Sequence, residues 1–190
     1  MVLYLPPNLA ALATVARREA SRYALGAIHV RSPGGGLYRV EATDGRILAV
    51  VQGSVPKASY PPLEDRPEGD AQALIARDDW QRAFRLGDRR RPVGLATDGA
   101  EIHLAVGDQA LTTRACDGRF PDVDAVLPQG GALLAVRLNP SLLIELLKVA
   151  VAVSAGEGVD VLFYGRDKPV GLLARNDEGQ TFDGLIMPLT

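Results

Sequence analysis

The chain is poor in the residues from which most catalytic sites are made: 190 residues hold one cysteine and two histidines. Cys116 alone permits no intramolecular disulfide, and no base can be paired with it from sequence, so it reads as a structural thiol. His29 and His103 lie far apart, inside strand patterns, with no cysteine or carboxylate at metal-ligand spacing. Gly34-Gly35-Gly36 lacks the following Lys-Ser/Thr of a phosphate loop and reads as a hairpin tip. No catalytic constellation emerges, so neither enzyme activity nor a cofactor is expected. Aromatic residues make up only 5% of a chain that is 47% hydrophobic, which leaves the core to Leu, Val, Ala and Ile. No apolar run approaches the roughly 20 residues of a membrane span; even Leu142 to Val153 is broken by Glu145 and Lys148. The start, from Met1 to Pro7, lacks the basic region and long apolar core of a signal peptide, so a cytoplasmic protein without membrane contact is expected.

What is present is a recurring order of elements: a short apolar strand, a helix, then three strands parted by Gly or Asp turns. In the first unit Val2–Leu5 is a strand and Pro6-Pro7-Asn8 starts a helix, because a proline in the first turn gives up no hydrogen bond. Leu9, Leu12, Ala13, Ala16 and Ala20 fall on one stripe of that helix. Strands follow at Leu25 to Arg31, Gly36 to Ala42 and Arg46 to Gln52, with Thr43-Asp44-Gly45 as a turn. The proline-rich, charged stretch Val55 to Ala71 is a connecting loop.

A second unit runs from the strand Ala73–Ala76 into a helix opened by Asp78-Asp79 and ending near Gly87, with Trp80, Ala83 and Phe84 on one face. Strands are expected at Val93 to Ala96, Glu101 to Val106 and Ala110 to Ala115. After Gly130-Gly131, a third unit comprises Leu133 to Leu138, a helix from Asn139-Pro140-Ser141, and strands at Val159 to Tyr164, Pro169 to Ala174 and Thr181 to Pro188. The fold class is therefore α+β, with βαβββ units whose antiparallel sheets carry helices on one face.

The net charge of −2 argues against an all-over nucleic-acid coat, yet the basic residues are mostly arginine and they cluster. Arg18 lies opposite the first helix's apolar stripe, flanked by Arg17 and Arg22; Arg82 and Arg85 lie opposite Trp80 and Phe84, and Arg89, Arg90 and Arg91 follow. Guanidinium groups on an outer helix face can hold phosphate oxygens without reading sequence, although such a face is also well suited to water alone. The third helix is apolar almost all round, with Glu145 and Lys148 as its polar strip, which points to packing against more than its own sheet.

Three segments carry a family resemblance. Ala42-Thr43-Asp44-Gly45, the run Gly118-Arg119-Phe120-Pro121-Asp122 leading to Val126-Leu127-Pro128, and the ending Leu185-Ile186-Met187-Pro188 resemble, in order and spacing, the bacterial DNA polymerase III β subunit, the sliding clamp. Residues 1–128 resemble that family's middle domain of two βαβββ units, and residues 129–190 a single unit like the second half of its last domain. The resemblance implies a noncatalytic, DNA-clamp-like processivity factor of DNA replication that encloses or cradles double-stranded DNA through Arg17, Arg18, Arg22, Arg82, Arg85, Arg89, Arg90 and Arg91. It also implies a homo-oligomer; twelve units surround DNA in the family, which four chains of three units would supply.

The family further binds short linear motifs of polymerases, clamp loaders and repair proteins in a hydrophobic cleft. Matched by position, that cleft would take Leu25, Thr43, Gly45, Arg46, Ile47, Leu48, Pro121, Val126, Asn139, Leu142, Leu185, Ile186, Met187, Pro188 and Leu189, although Leu25, Leu48 and Ile186 also suit a plain core. Ile47 and Ala125 stand where the family commonly carries basic residues, and Leu189-Thr190 departs from its usual ending. A peptide-binding regulator that does not encircle DNA is the alternative.

Overall fold

Alternating apolar residues between Gly and Asp turns produce hairpins, and hairpins dominate this chain. The computed structural model describes residues 2–16, 24–33, 37–54, 71–88, 90–128, 130–154, 156, 158–177 and 180–189. Two compact units divide between Leu127 and Pro128.

Unit 1 is built from two half-units of the same order. The first comprises β1 (Val2–Leu5), a 3-10 helix (Pro7–Thr14), β2 (Ala27–Ser32), β3 (Leu37–Thr43) and β4 (Leu48–Ser54); the second comprises β5 (Ala71–Ala76), α1 (Arg77–Ala83), β6 (Val93–Thr97), β7 (Glu101–Val106) and β8 (Gln109–Arg114). Each half lends its first strand to the other. The two antiparallel sheets run β1-β6-β7-β8 and β4-β3-β2-β5, so β1 completes the second half's sheet and β5 the first's. Alternate residues of the exchanged strands, Leu3, Leu5, Ala73 and Ile75, enter one core with Ile28, Val30, Val40, Leu95, Ile102 and Leu104. Trp80 is fully buried, its ring centroid 4.8 Å from that of Phe84, and its indole N–H donates to the Leu9 carbonyl at 3.1 Å.

Two expected helices differ in extent. The first is a 3-10 helix rather than an α-helix, with Leu9, Leu12 and Ala13 buried; Ala20 lies outside the described residues. The second stops at Ala83, because Arg85 N–H bonds the Arg82 carbonyl and Leu86 N–H the Ala83 carbonyl, tightening the last turn before Gly87 at φ +50°. A short helix not expected from sequence, α2 (Val123–Val126), is capped by the Asp122 side chain, which accepts from Ala125 N–H. The loop from Val55 falls almost wholly outside the described residues, as does Gly34-Gly35-Gly36.

Unit 2 comprises α3 (Pro140–Val153), β9 (Asp160–Phe163), β10 (Val170–Arg175) and β11 (Thr181–Ile186), in one antiparallel sheet ordered β11-β10-β9. α3 begins as the sequence dictates: the Asn139 side chain accepts from the N–H groups of Ser141 and Leu142, with Pro140 in the first turn. Asn139→Ala should therefore cost about 1 kcal/mol of unit 2's stability, read by denaturant titration of helical circular dichroism. The helix lays Ala150 and the flanking half-buried Leu143, Leu146 and Leu147 on β10 and β11, where Val170, Leu172, Ala174 and Ile186 are buried. The expected strand Leu133 to Leu138 forms no ladder among the described residues. Its sequence suits a strand, but a strand needs a partner, and within the chain the segment does not pair with the open edge strand β9.

Candidate functional site

The turn joining β3 to β4 is rigid by construction. Thr43 Oγ1 donates to the Ile47 carbonyl at 2.6 Å and accepts from Gly45 N–H at 3.0 Å. Asp44 Oδ1 accepts from the N–H groups of Arg46 and Ile47 at 2.8 and 2.9 Å, and these bonds, that from Ile47 foremost, hold its carboxyl below the usual range. Gly45 takes φ +92°, and a Cβ there would sit 3.5 Å from Leu25 Cδ1. Leu25 is thereby buried beneath the turn while Ile47 stands 55% exposed above it. The same bonding recurs at Thr97-Asp98-Gly99, where Asp98 accepts from Ala100 and Glu101 N–H. That turn joins β6 to β7 and so is not the positional counterpart of the first.

Behind this turn, the segment after Cys116 is tied to unit 1 by backbone bonds, Cys116 N–H to the Leu74 carbonyl and Ala24 N–H to the Arg119 carbonyl. Phe120 packs against the His29 ring at 4.9 Å. Pro121 is half-buried, and Val126 at the end of α2 is 67% exposed. Burial, with Asp79 and Asp117 nearby, pushes the Cys116 thiol above its ordinary value, which disfavours the reactive thiolate.

In unit 2, Leu142, Leu185, Met187 and Leu189 are exposed, whereas Ile186 is buried and Pro188 partly so. Leu189 N–H donates to the Arg137 carbonyl at 2.8 Å, which anchors the last residues beside the segment preceding α3. Each unit thus carries exposed aliphatic side chains, Ile47 and Val126 in unit 1 and Leu142, Leu185, Met187 and Leu189 in unit 2.

Of the arginines singled out by sequence, Arg17, Arg18, Arg22 and Arg89 lie outside the described residues. Arg82 is exposed on α1 with one guanidinium nitrogen 3.1 Å from Asp79 Oδ1; Arg85 is exposed on the turn after the helix, and Arg90 and Arg91 are exposed before β6.

A buried polar chain escaped the sequence reading. Glu41, 1% exposed on β3, receives His29 Nδ1 at 2.7 Å and the Arg39 guanidinium; Arg39 also reaches Asp124 Oδ1 at 2.7 Å. His29 Nε2 meets Gln72 Oε1 at 3.1 Å. Burial raises the Glu41 carboxyl, but the bonds and charges of His29 and Arg39 outweigh it and leave the group below its ordinary value. The visible signal was His29/Arg31 and Arg39/Glu41 at two-residue spacing on facing strands, which places them on one face of a hairpin. This chain ties α2 to the β2–β3 hairpin.

Two concavities in unit 1 flank that network: one of about 570 Å³ between Arg31, Leu37, Tyr38, Arg39 and Asp124, the other of about 390 Å³ between His29, Gln72, Cys116 and Phe120. Neither contains Leu25, Gly45, Ile47 or Val126. Among the described residues no group of His, Cys, Asp or Glu is placed to hold a metal ion, and no helix is long and apolar enough to cross a membrane.

No family model matches the chain. Among curated proteins, the beta sliding clamp of Pseudomonas aeruginosa is 32% identical over 103 residues, 54% of this chain and 26% of that protein. The beta sliding clamp of Caulobacter vibrioides is 26% identical over 164 residues, 84% of this chain and 42% of that protein. The crystal structure of the DNA polymerase III subunit beta from Pseudomonas aeruginosa matches with a TM-score of 0.75 at 22% identity, over 99% of this chain and 50% of that one. A sliding clamp from the same organism, bound to griselimycin, matches with a TM-score of 0.74 at 20% identity, over 100% and 51%. The matched part is 26% to 51% of the length of these proteins, so the chain spans about half a clamp.

Proposed function

We propose that this chain, a sliding-clamp-like relative of the bacterial DNA polymerase III β subunit and about half a clamp in extent, is a noncatalytic protein of DNA replication that cradles duplex DNA and binds partner peptides. The observation that supports this reading most is the clamp fold along 99% of the chain, with resemblance at the sequence level as well. Arg82, Arg85, Arg90 and Arg91 contribute the exposed cations of unit 1 for phosphate contact without base readout, joined by Arg17, Arg18, Arg22 and Arg89. The exposed aliphatic side chains, with Ile47 and Val126 on unit 1 and Leu142, Leu185 and Met187 on unit 2, take the Leu or Phe anchors of short motifs in polymerases, loaders or repair proteins. Duplex contact of this kind is carried by a homo-oligomer, for which four chains supply twelve half-units.

Arg82→Glu combined with Arg85→Glu is expected to weaken duplex binding at least about tenfold at low salt and to lower the slope of log affinity against log salt by about two. Fluorescence anisotropy on a labelled duplex reads both, with circular dichroism as the check on folding. The ion pair of Arg82 with Asp79 and the net charge of −2 favour a second reading, a peptide-binding regulator that leaves DNA alone. Peptide binding without any duplex binding at low salt would select it.

A further inference from the structure

Unit 1 contains a template for what unit 2 lacks. In unit 1 each exchanged strand pairs antiparallel with the first strand after the partner helix: Leu3 lies opposite Leu95 and Leu5 opposite Val93, as Ala73 lies opposite Val30 and Ile75 opposite Ile28. All eight residues are buried. The two helices meet in opposite directions, since Trp80 bonds the Leu9 carbonyl while Arg77, earlier in α1, bonds the Ala13 carbonyl, later in its helix. Leu5 and Ile75 each stand two residues before the helix start.

Among its described residues, unit 2 holds the parts of one such half and no second half. Leu138 stands two residues before Pro140, so Leu138, Val136 and Leu134 form the row that would enter a core, yet Leu134 is exposed and Val136 and Leu138 are only half-buried. The receiving strand, β9, is exposed throughout, with Val161 at 47% and Phe163 at 53%. Val161 and Phe163 share a face with Leu172 and Val170, the residues under α3. The outer surface of α3 leaves Ile144 53% and Val151 59% exposed. An apolar sheet edge and an apolar helix face, both exposed on one unit, are surfaces awaiting a partner.

The geometry points to a second copy of this chain as that partner: two unit 2 bodies exchange the segment 133–138, each laying it antiparallel on the other's β9. Pairing the two apolar rows puts Val136 opposite Val161 and Leu134 opposite Phe163. The same register sets Arg137 opposite Asp160 on the outer face, an ion pair made twice by the two-fold axis, both residues being exposed in the single chain. Antiparallel contact of the two α3 helices brings Ile144 of one copy toward Val151 of the other, with Glu145 beside Lys148. Donor, acceptor and complementary charges all lie on one unit, which is the requirement for a self-complementary interface. This specifies the contact by which the homo-oligomer of the reading above forms. It rests on that reading for nothing but the oligomer, so loss of duplex binding would leave it intact.

The test uses the 190-residue chain in a Cys116→Ser background. Ala135→Cys with Leu162→Cys, a directly opposed pair in the proposed register, should give a covalent dimer under mild oxidation on a non-reducing gel. Ala135→Cys with Asp160→Cys, two residues out of register, should give little. Arg137→Asp should raise the dissociation constant measured by light scattering about tenfold, and adding Asp160→Arg should restore it. A monomer at micromolar concentration, a disulfide formed within one chain, or a dimer that the first pair fails to cross-link would each overturn the exchange.

Discussion

Replacing Trp80 by alanine should lower the unfolding midpoint of unit 1 by on the order of 10 °C. The side chain is fully buried where α1 meets the 3-10 helix, packed on Phe84, and its N–H satisfies the Leu9 carbonyl. Truncation opens a cavity of indole size and strands that carbonyl, at a cost of about 3–5 kcal/mol. Because the two helices belong to different half-units, the loss falls on a contact between the halves that adds to their exchanged strands. Trp80→Phe separates the parts: it keeps most of the ring volume and forfeits the hydrogen bond, so its cost should be markedly smaller. Calorimetry with far-ultraviolet circular dichroism reads both variants. If unit 1 in the alanine variant melts within 2–3 °C of the parent, this packing does not hold the halves together.

Glu41→Ala is the second large effect, about 3 kcal/mol, because it leaves Arg39 and His29 facing an empty buried site. The carboxylate accepts from both, and through Arg39 the network reaches Asp124 on α2. Loss should therefore loosen the segment after Cys116 as well as the hairpin, seen as faster hydrogen exchange at residues 120–127. The pH dependence carries a definite sign. A carboxyl held below its ordinary value of 4.5 stabilises the fold above that pH, and the contribution disappears as pH falls through the folded-state value. The parent should lose stability on acidification below about pH 4.5, whereas Glu41→Gln should lose less over the same interval. Equal acid sensitivity of the two would remove Glu41 from this role.

The strands were largely legible in the sequence because their turns are chemically explicit. Thr43-Asp44-Gly45 and Thr97-Asp98-Gly99 each fold on their own side chains, so hairpins could be placed to within a residue or two. Asn139-Pro140 marked the start of α3 for an equally local reason. Helix type and extent were less legible: the first helix stays 3-10, and α1 closes at Ala83 through short-range bonds that apolar spacing does not encode. The segment from Leu133 read as a strand because its residues suit one, but pairing depends on a partner that local pattern cannot name. The Glu41 network was hidden for a related reason, since Arg39 and Asp124 are 85 positions apart and meet only in the fold. The aliphatic residues were named by resemblance alone; the structure divides them into buried supports, Leu25 and Ile186, and exposed side chains, Ile47, Val126 and Leu185.

Titration of duplex binding against salt tests the central reading most directly. On two duplexes of unrelated sequence the affinities should coincide, and log affinity should fall linearly with log salt, as expected for phosphate contacts that release counterions. No duplex binding at about 50 mM salt, or binding to one sequence alone, would contradict a clamp-like hold on DNA.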